Sequence, residues 1–308
     1  MDDSLAGLFK KARKDLLYPP IFKVELADIE LSEIDFSGRW KILISKKAIN
    51  NFTADALLGI FHHQLNHWAK HPYDAKTIIL ENHYLGDMPN KTEIRNLYDD
   101  AVVNLDLVIN RELLEIAAAY REIIPQRKAD KVLRAFYKEV TGLDFGDFYL
   151  EPELQEKVKD LLEIDFLNTN RTFLKLNIRK FASIMQDLTE KEKTVPFGSF
   201  SLKELNPQDI RKSLGNLAKE LSLDEYRHIV NNVSREIAHA VSPGNKTLSE
   251  ELKRPDIRWY EIRAMDYIIY IQSIFKDGSL YPEEIKDFDI DDCIDHYSPV
   301  ESYGKLTG

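Results

Sequence analysis

The stretch FHHQLNHWAKHPYD, from Phe61 to Asp74, crowds His62, His63, His67 and His71 into one apolar segment. Its spacing predicts a helix, with Leu57, Leu58, Ile60, Phe61, Leu65 and Trp68 distributed over several sides. A helix apolar all round belongs in a core, and an imidazole buried there without a partner is costly. Residues four apart stack on one helical face about 6 Å from each other, so His63 and His67 can point both rings at one ion, a zinc-ligand spacing. His62 lies about 100° around the helix from His63 and cannot readily join them. His71 shares the general direction of His67 but stands about 12 Å along the axis from His63, too far to ligate the same ion. It is expected to cap the helix end beside Pro72 or to brace the ligands from behind.

Composition narrows what can partner those rings. The single cysteine, Cys293, excludes an internal disulfide and a cysteine-based zinc site, so any metal must be held by His, Asp or Glu. With 44% hydrophobic and 31% charged residues over 308 positions, the chain is expected to be a soluble globular protein. No apolar run reaches the length of a membrane span, and the N-terminal segment is charged from its second residue, so a cytoplasmic protein with no membrane partner is expected. A formal net charge of -10 disfavours nucleic-acid binding, and the best basic patch, Arg171, Lys175, Arg179 and Lys180, reads as a solvated helix face.

The hydrophobic period changes along the chain. From Ile21 to Ile49 it is two, rich in Val and Ile, which predicts a small sheet. It then becomes helical, with Asn51 or Thr53 as N-cap and Pro72 marking the end. A long helical pattern runs from about Glu93 to Glu122, and further helices follow to about Glu190. The charged, proline-bearing stretch EKEKTVPFGSFSLKELNPQD is the best internal boundary. The expected architecture is α+β and mostly helical: residues 1–190 as a core built on a small N-terminal sheet and the histidine helix, and residues 191–308 as a helical region with a polar tail. In the latter, Trp259, Ile262, Met265, Ile269 and Ile274 recur at helical spacing and are expected to be core.

HHQLNHWAKHP resembles the His-Glu-x-x-His active-site helix of zincin metallopeptidases, with His63 and His67 as the histidines and Gln64 at the position of the glutamate. LYDDAVVNLDLVIN, from Leu97 to Asn110, is similar to a second helix in the metallopeptidases associated with von Willebrand factor A domains, where an Asp is followed four residues on by an Asn. The likeness covers Gly38 to Glu115, about a quarter of the chain, and no von Willebrand domain is evident.

The resemblance implies a zinc-dependent peptide hydrolase with three protein ligands and an open position for water. Asp100 is the first choice for the third ligand, since a carboxylate amid AVVNL needs a counter-charge, and Asn104 is placed to orient it. Asp99, then Glu81 and His83, are the alternates; His71 comes last, because metzincin-type sites reach a third histidine through a glycine turn that HWAKH lacks. In zincins the glutamate takes a proton from the metal-bound water, which is worth roughly 10²–10⁴ in rate, and an amide cannot do so. Gln64 therefore implies a crippled or inactive enzyme, through either natural substitution or deliberate isosteric replacement. An edge strand in such folds pairs with a peptide or protein substrate, and Arg39, Trp40, Lys41, Ile42 and Leu43 are the candidates. The rival expectation is a pseudo-peptidase that binds peptides or proteins as a scaffold without catalysis.

Overall fold

The computed structural model describes residues 3–35, 40–125, 127–189, 202–237 and 252–276. The chain divides into two compact units, at Asn206 and Pro207, inside the stretch singled out as a boundary. The architecture is mostly helical with one small sheet near the N-terminus, as the change of hydrophobic period predicts.

In the first unit, α1 (Asp3–Asp15) buries Leu5, Phe9 and Ala12 along one helical stripe, which Leu16 continues just past its end. Strands β1 (Lys23–Ala27), β2 (Ser32–Asp35) and β3 (Lys41–Ser45) form a sheet in the order β1-β3-β2, with β3 parallel to β1 and antiparallel to β2. Ser32 and Ile34 on β2 sit opposite Ile44 and Ile42 on β3, and all four are buried, so period-two alternation gives this sheet one inner face.

The capping positions resolve the two N-cap candidates. Asn51 ends a short helix, α2 (Lys46–Asn51), whereas the Thr53 hydroxyl accepts from the Ala56 amide and starts α3 (Ala54–Ala69). Every residue of α3 from Ala56 to His67 is buried. Asp74 caps α4 (Ala75–Leu85) by accepting from the Thr77 amide at 2.8 Å.

The helix expected from Glu93 to Glu122 is interrupted. It runs as α5 (Lys91–Leu105), relaxes into a π-helical turn at Asp106–Asn110, and resumes as α6 (Glu115–Glu122). Asp106 drives the break by gathering side-chain donors from Asn66, Asn110 and Arg111 at 3.1, 2.9 and 2.7 Å, and Glu112 adopts a left-handed φ of 57°. The turn lets α6 lie against α3 so closely that a Cβ on Gly59 would collide with the backbone of Glu115 and Ile116. Helices α7 (Lys128–Thr141), α8 (Gln155–Leu162) and α9 (Arg171–Met185) complete the unit. Tyr98, Tyr120, Phe136, Tyr137, Phe145, Phe166 and Phe181 pack ring against ring around α5, with centroids 5.2 to 5.8 Å apart. Of the basic patch, Arg179 donates to the Tyr84 carbonyl, Lys175 lies over the Tyr84 ring and Lys180 pairs with Glu163.

The second unit holds α10 (Pro207–Glu220), α11 (Leu223–Ile237) and α12 (Pro255–Lys276). Its core joins Ile210, Leu214 and Leu217 with Tyr226, Ile229, Val230 and Val233. The expected core stripe on α12 is corrected: Met265 and Ile269 are exposed, the helix buries Ala264 instead, and Trp259 is half-buried with its indole N–H donating to the Leu221 carbonyl. The Ile274 side chain and the tail after residue 276 lie outside the described residues. Among the described residues, no helix is long and apolar enough to cross a membrane.

Candidate metal centre

One turn apart on α3, His63 and His67 turn their rings inward, with Nε2 atoms 3.1 Å apart and ring planes nearly perpendicular. The α5 helix brings Asp100 between them, its Oδ1 standing 3.3 Å from each Nε2. All three residues are at most 4% exposed.

The outer nitrogens reveal where the protons are. His67 Nδ1 lies 3.0 Å from the His71 carbonyl oxygen, which can only accept, so this nitrogen carries the hydrogen. His63 Nδ1 donates to Asn104 Oδ1 at 2.8 Å. Asn104 is held in that orientation by donating from Nδ2 to the Tyr120 and Tyr137 hydroxyls, at 3.0 and 3.3 Å. Burial raises the pKa of both phenols, so they stay protonated and neutral. With both Nδ1 atoms carrying hydrogens, the neutral form of each ring would direct an Nε2 lone pair at the other ring and at Asp100. Burial lowers the His63 pKa despite the neighbouring carboxylate. Burial opposes charge on Asp100 as well, yet the two histidines outweigh it and hold its pKa below the usual carboxylate value. In that form two lone pairs and an anion converge in a water-poor space, where a positive charge would satisfy all three. A proton bridges two atoms; three donors at nearly equal spacing suit a metal ion, and His63, His67 and Asp100 could hold one.

Several expected roles change. Asn104 positions His63 and not Asp100. His71 braces the centre through its backbone carbonyl, while its ring turns away to a second buried cluster with Glu81 and Asp99. Those three residues are therefore not third ligands of the first centre. Adjacent positions on a helix point about 100° apart, which sends Asp99 and Asp100 to different clusters. Burial opposes charge on His71, but Glu81 and Asp99 outweigh it and raise its pKa to about 10; Glu81 is pushed up to about 7 by burial and by Asp99. His83 joins neither cluster and packs its ring against Tyr84. His62 stands apart from the centre as its direction predicts, with Nε2 3.0 Å from Asp15 on α1 and Nδ1 3.5 Å from Glu115 on α6.

Gln64 is 1% exposed, and its Nε2 donates to the Ser32 hydroxyl on β2 at 2.8 Å. The substrate strand expected at residues 39–43 is corrected: β3, with Lys41, Ile42 and Leu43, is the central strand and both its hydrogen-bonding edges are occupied. Lys41 is ion-paired to Glu25 and Asp35 on the flanking strands, Trp40 precedes the strand, and Arg39 lies outside the described residues. The edge nearest the centre is β2, which carries Ser32. Sequence reasoning missed Ser32, Tyr120 and Tyr137, whose positions depend on how the elements pack. No family model, curated protein or solved structure matches the chain.

Proposed function

We propose that this chain binds zinc through His63, His67 and Asp100, in a zincin-like metallopeptidase framework whose proton shuttle is disabled at Gln64. One observation carries the reading. A tetrahedral ion held at zinc–nitrogen distances of about 2.0–2.1 Å keeps its donors about 3.3–3.4 Å apart, and the donors here are separated by 3.1, 3.3 and 3.3 Å. Their other atoms support the same role, since Asn104 and the His71 carbonyl fix the tautomer that leaves each Nε2 available.

Bound zinc would supply a Lewis acid that acidifies a coordinated water or polarises a peptide carbonyl. Proton transfer then depends on the chain's own residues. On the zincin resemblance, Gln64 stands where a carboxylate would receive the water's proton, and an amide neither accepts nor returns one near neutrality. Its hydrogen bond to Ser32 ties the side chain to β2, the edge along which an extended peptide would add by backbone pairing. The proposed chemistry therefore joins a zinc site, a peptide or protein substrate, and turnover lost at one defined step.

A non-catalytic reading is favoured by the burial of the centre: His63, Gln64, His67 and Asp100 are all at most 4% exposed, as in a structural metal site. Replacing Gln64 by Glu distinguishes the two. The expected result is chelator-sensitive hydrolysis of a mixed peptide library, at least about 10²-fold above the parent chain. A zinc-loaded, folded Gln64→Glu protein without hydrolysis would leave the pseudo-peptidase scaffold and defeat the enzyme reading.

A further inference from the structure

His71, Glu81 on α4 and Asp99 on α5 are each at most 1% exposed. His71 Nε2 lies 2.6 Å from Glu81 Oε1 and 3.3 Å from Asp99 Oδ1. Neither approach is aligned as a hydrogen bond. His71 Nε2, both Glu81 oxygens and both Asp99 oxygens lack hydrogen-bond partners among the described residues. Arg95 reaches the rim, its Nε 3.6 Å from Asp99 Oδ2, while its Nη2 donates to Asn96.

Carboxylate oxygens sealed from water without donors are among the most costly groups a core can contain. A proton on His71 does not remedy this, because one Nε2–H serves one oxygen at a time and two carboxylates compete for it. A cation with several coordination positions satisfies both acids and the imidazole together. We infer that His71, Glu81 and Asp99 form a second divalent-cation site, separate from the centre at His63, His67 and Asp100. One imidazole and two carboxylates suit zinc, manganese or ferrous iron over thiol-seeking ions. The two centres share their scaffold: α5 supplies Asp99 to one and Asp100 to the other, and the His71 residue offers its ring to one while its carbonyl braces His67 of the other. Each centre can nevertheless fill without the other, because no ligating side chain is common to both.

The test uses the full chain, stripped with a chelator, reloaded with zinc and crystallised, with anomalous difference maps recorded at the zinc edge. The inference predicts an anomalous peak bounded by His71, Glu81 and Asp99, and loss of about one zinc per chain on Glu81→Gln with the first centre retained. In a His63→Ala/His67→Ala variant the second peak persists. A peak at the second cluster alone would support this inference while defeating the proposed function. Density at the first centre only, or at neither, with His71 ion-paired to Glu81 and Asp99, would overturn it. Should Glu81→Gln fail to fold, the map of the unsubstituted chain decides the question.

Discussion

Replacing Asp100 by Asn should shift stability in opposite directions with and without zinc. In the metal-free chain at pH 9, above the ordinary imidazole range, the Asp100 carboxylate faces two Nε2 lone pairs at 3.3 Å with no hydrogen between them. An asparagine amide in the same volume supplies an N–H donor to one of them. A hydrogen bond gained there is worth about 0.5–1.5 kcal/mol, or roughly 2–4 °C in Tm per kcal/mol for a chain of this size. With zinc the sign reverses. At a zinc concentration of about 100 Kd the parent chain gains about 2.7 kcal/mol. Loss of a ligand's charge should cost at least the roughly 100-fold that marks the upper range for supporting groups, leaving the variant about 0.4 kcal/mol of gain at the same concentration. The assay is thermal unfolding of both proteins, each with excess chelator and with buffered zinc. The variant should melt higher than the parent in chelator and lower in zinc. A variant that melts lower under both conditions would refute the account of convergent lone pairs.

Asn104→Ala should weaken zinc binding roughly 10–100-fold by freeing His63 Nδ1 and both tyrosine hydroxyls, measured by competition with a chromophoric chelator. Unchanged affinity would show that His63 needs no brace. Gly59→Ala should destabilise the first unit by about 1–3 kcal/mol in urea unfolding, because the new methyl meets the α6 backbone and not a side chain that can swing away; a neutral result would mean that α3 and α6 separate readily. Burial would raise the Asp106 pKa, but Asn110, Arg111 and Asn66 outweigh it and hold it below the ordinary aspartate value. Its stabilising contribution is therefore complete above the unfolded carboxylate value of about 3.9 and is lost as pH falls through the lower folded value. Asp106→Asn should flatten the acid limb of the stability curve below about pH 4, and an unchanged limb would remove Asp106 from that role.

The sequence shows some of this clearly, for physical reasons. His63 and His67 are legible because helical geometry alone brings positions four apart to one face. Asp100 is legible because an acid in AVVNL must find a counter-charge. The small sheet follows from the period-two pattern through Ile42 and Ile44, both buried. The break between α5 and α6 is harder to see, since its cause is the meeting of Asp106 with Asn66 from a different helix. The central position of β3 is similarly hidden, because alternation specifies a strand's faces and not its neighbours. Asn104 points to His63 because Tyr120 and Tyr137, from α6 and α7, reach it together. The separation of Asp99 from Asp100 is implicit in the helical angle between adjacent residues, though the partners of Asp99 are not.

The most direct test compares the metal content of the freshly purified full chain with that of its His63→Ala/His67→Ala variant by elemental analysis. Two imidazoles and Asp100 grasping one ion predict that the parent carries about one more zinc per chain than the folded variant. Equal metal content in the two proteins, with parent stability indifferent to chelation, would contradict the assignment of this centre.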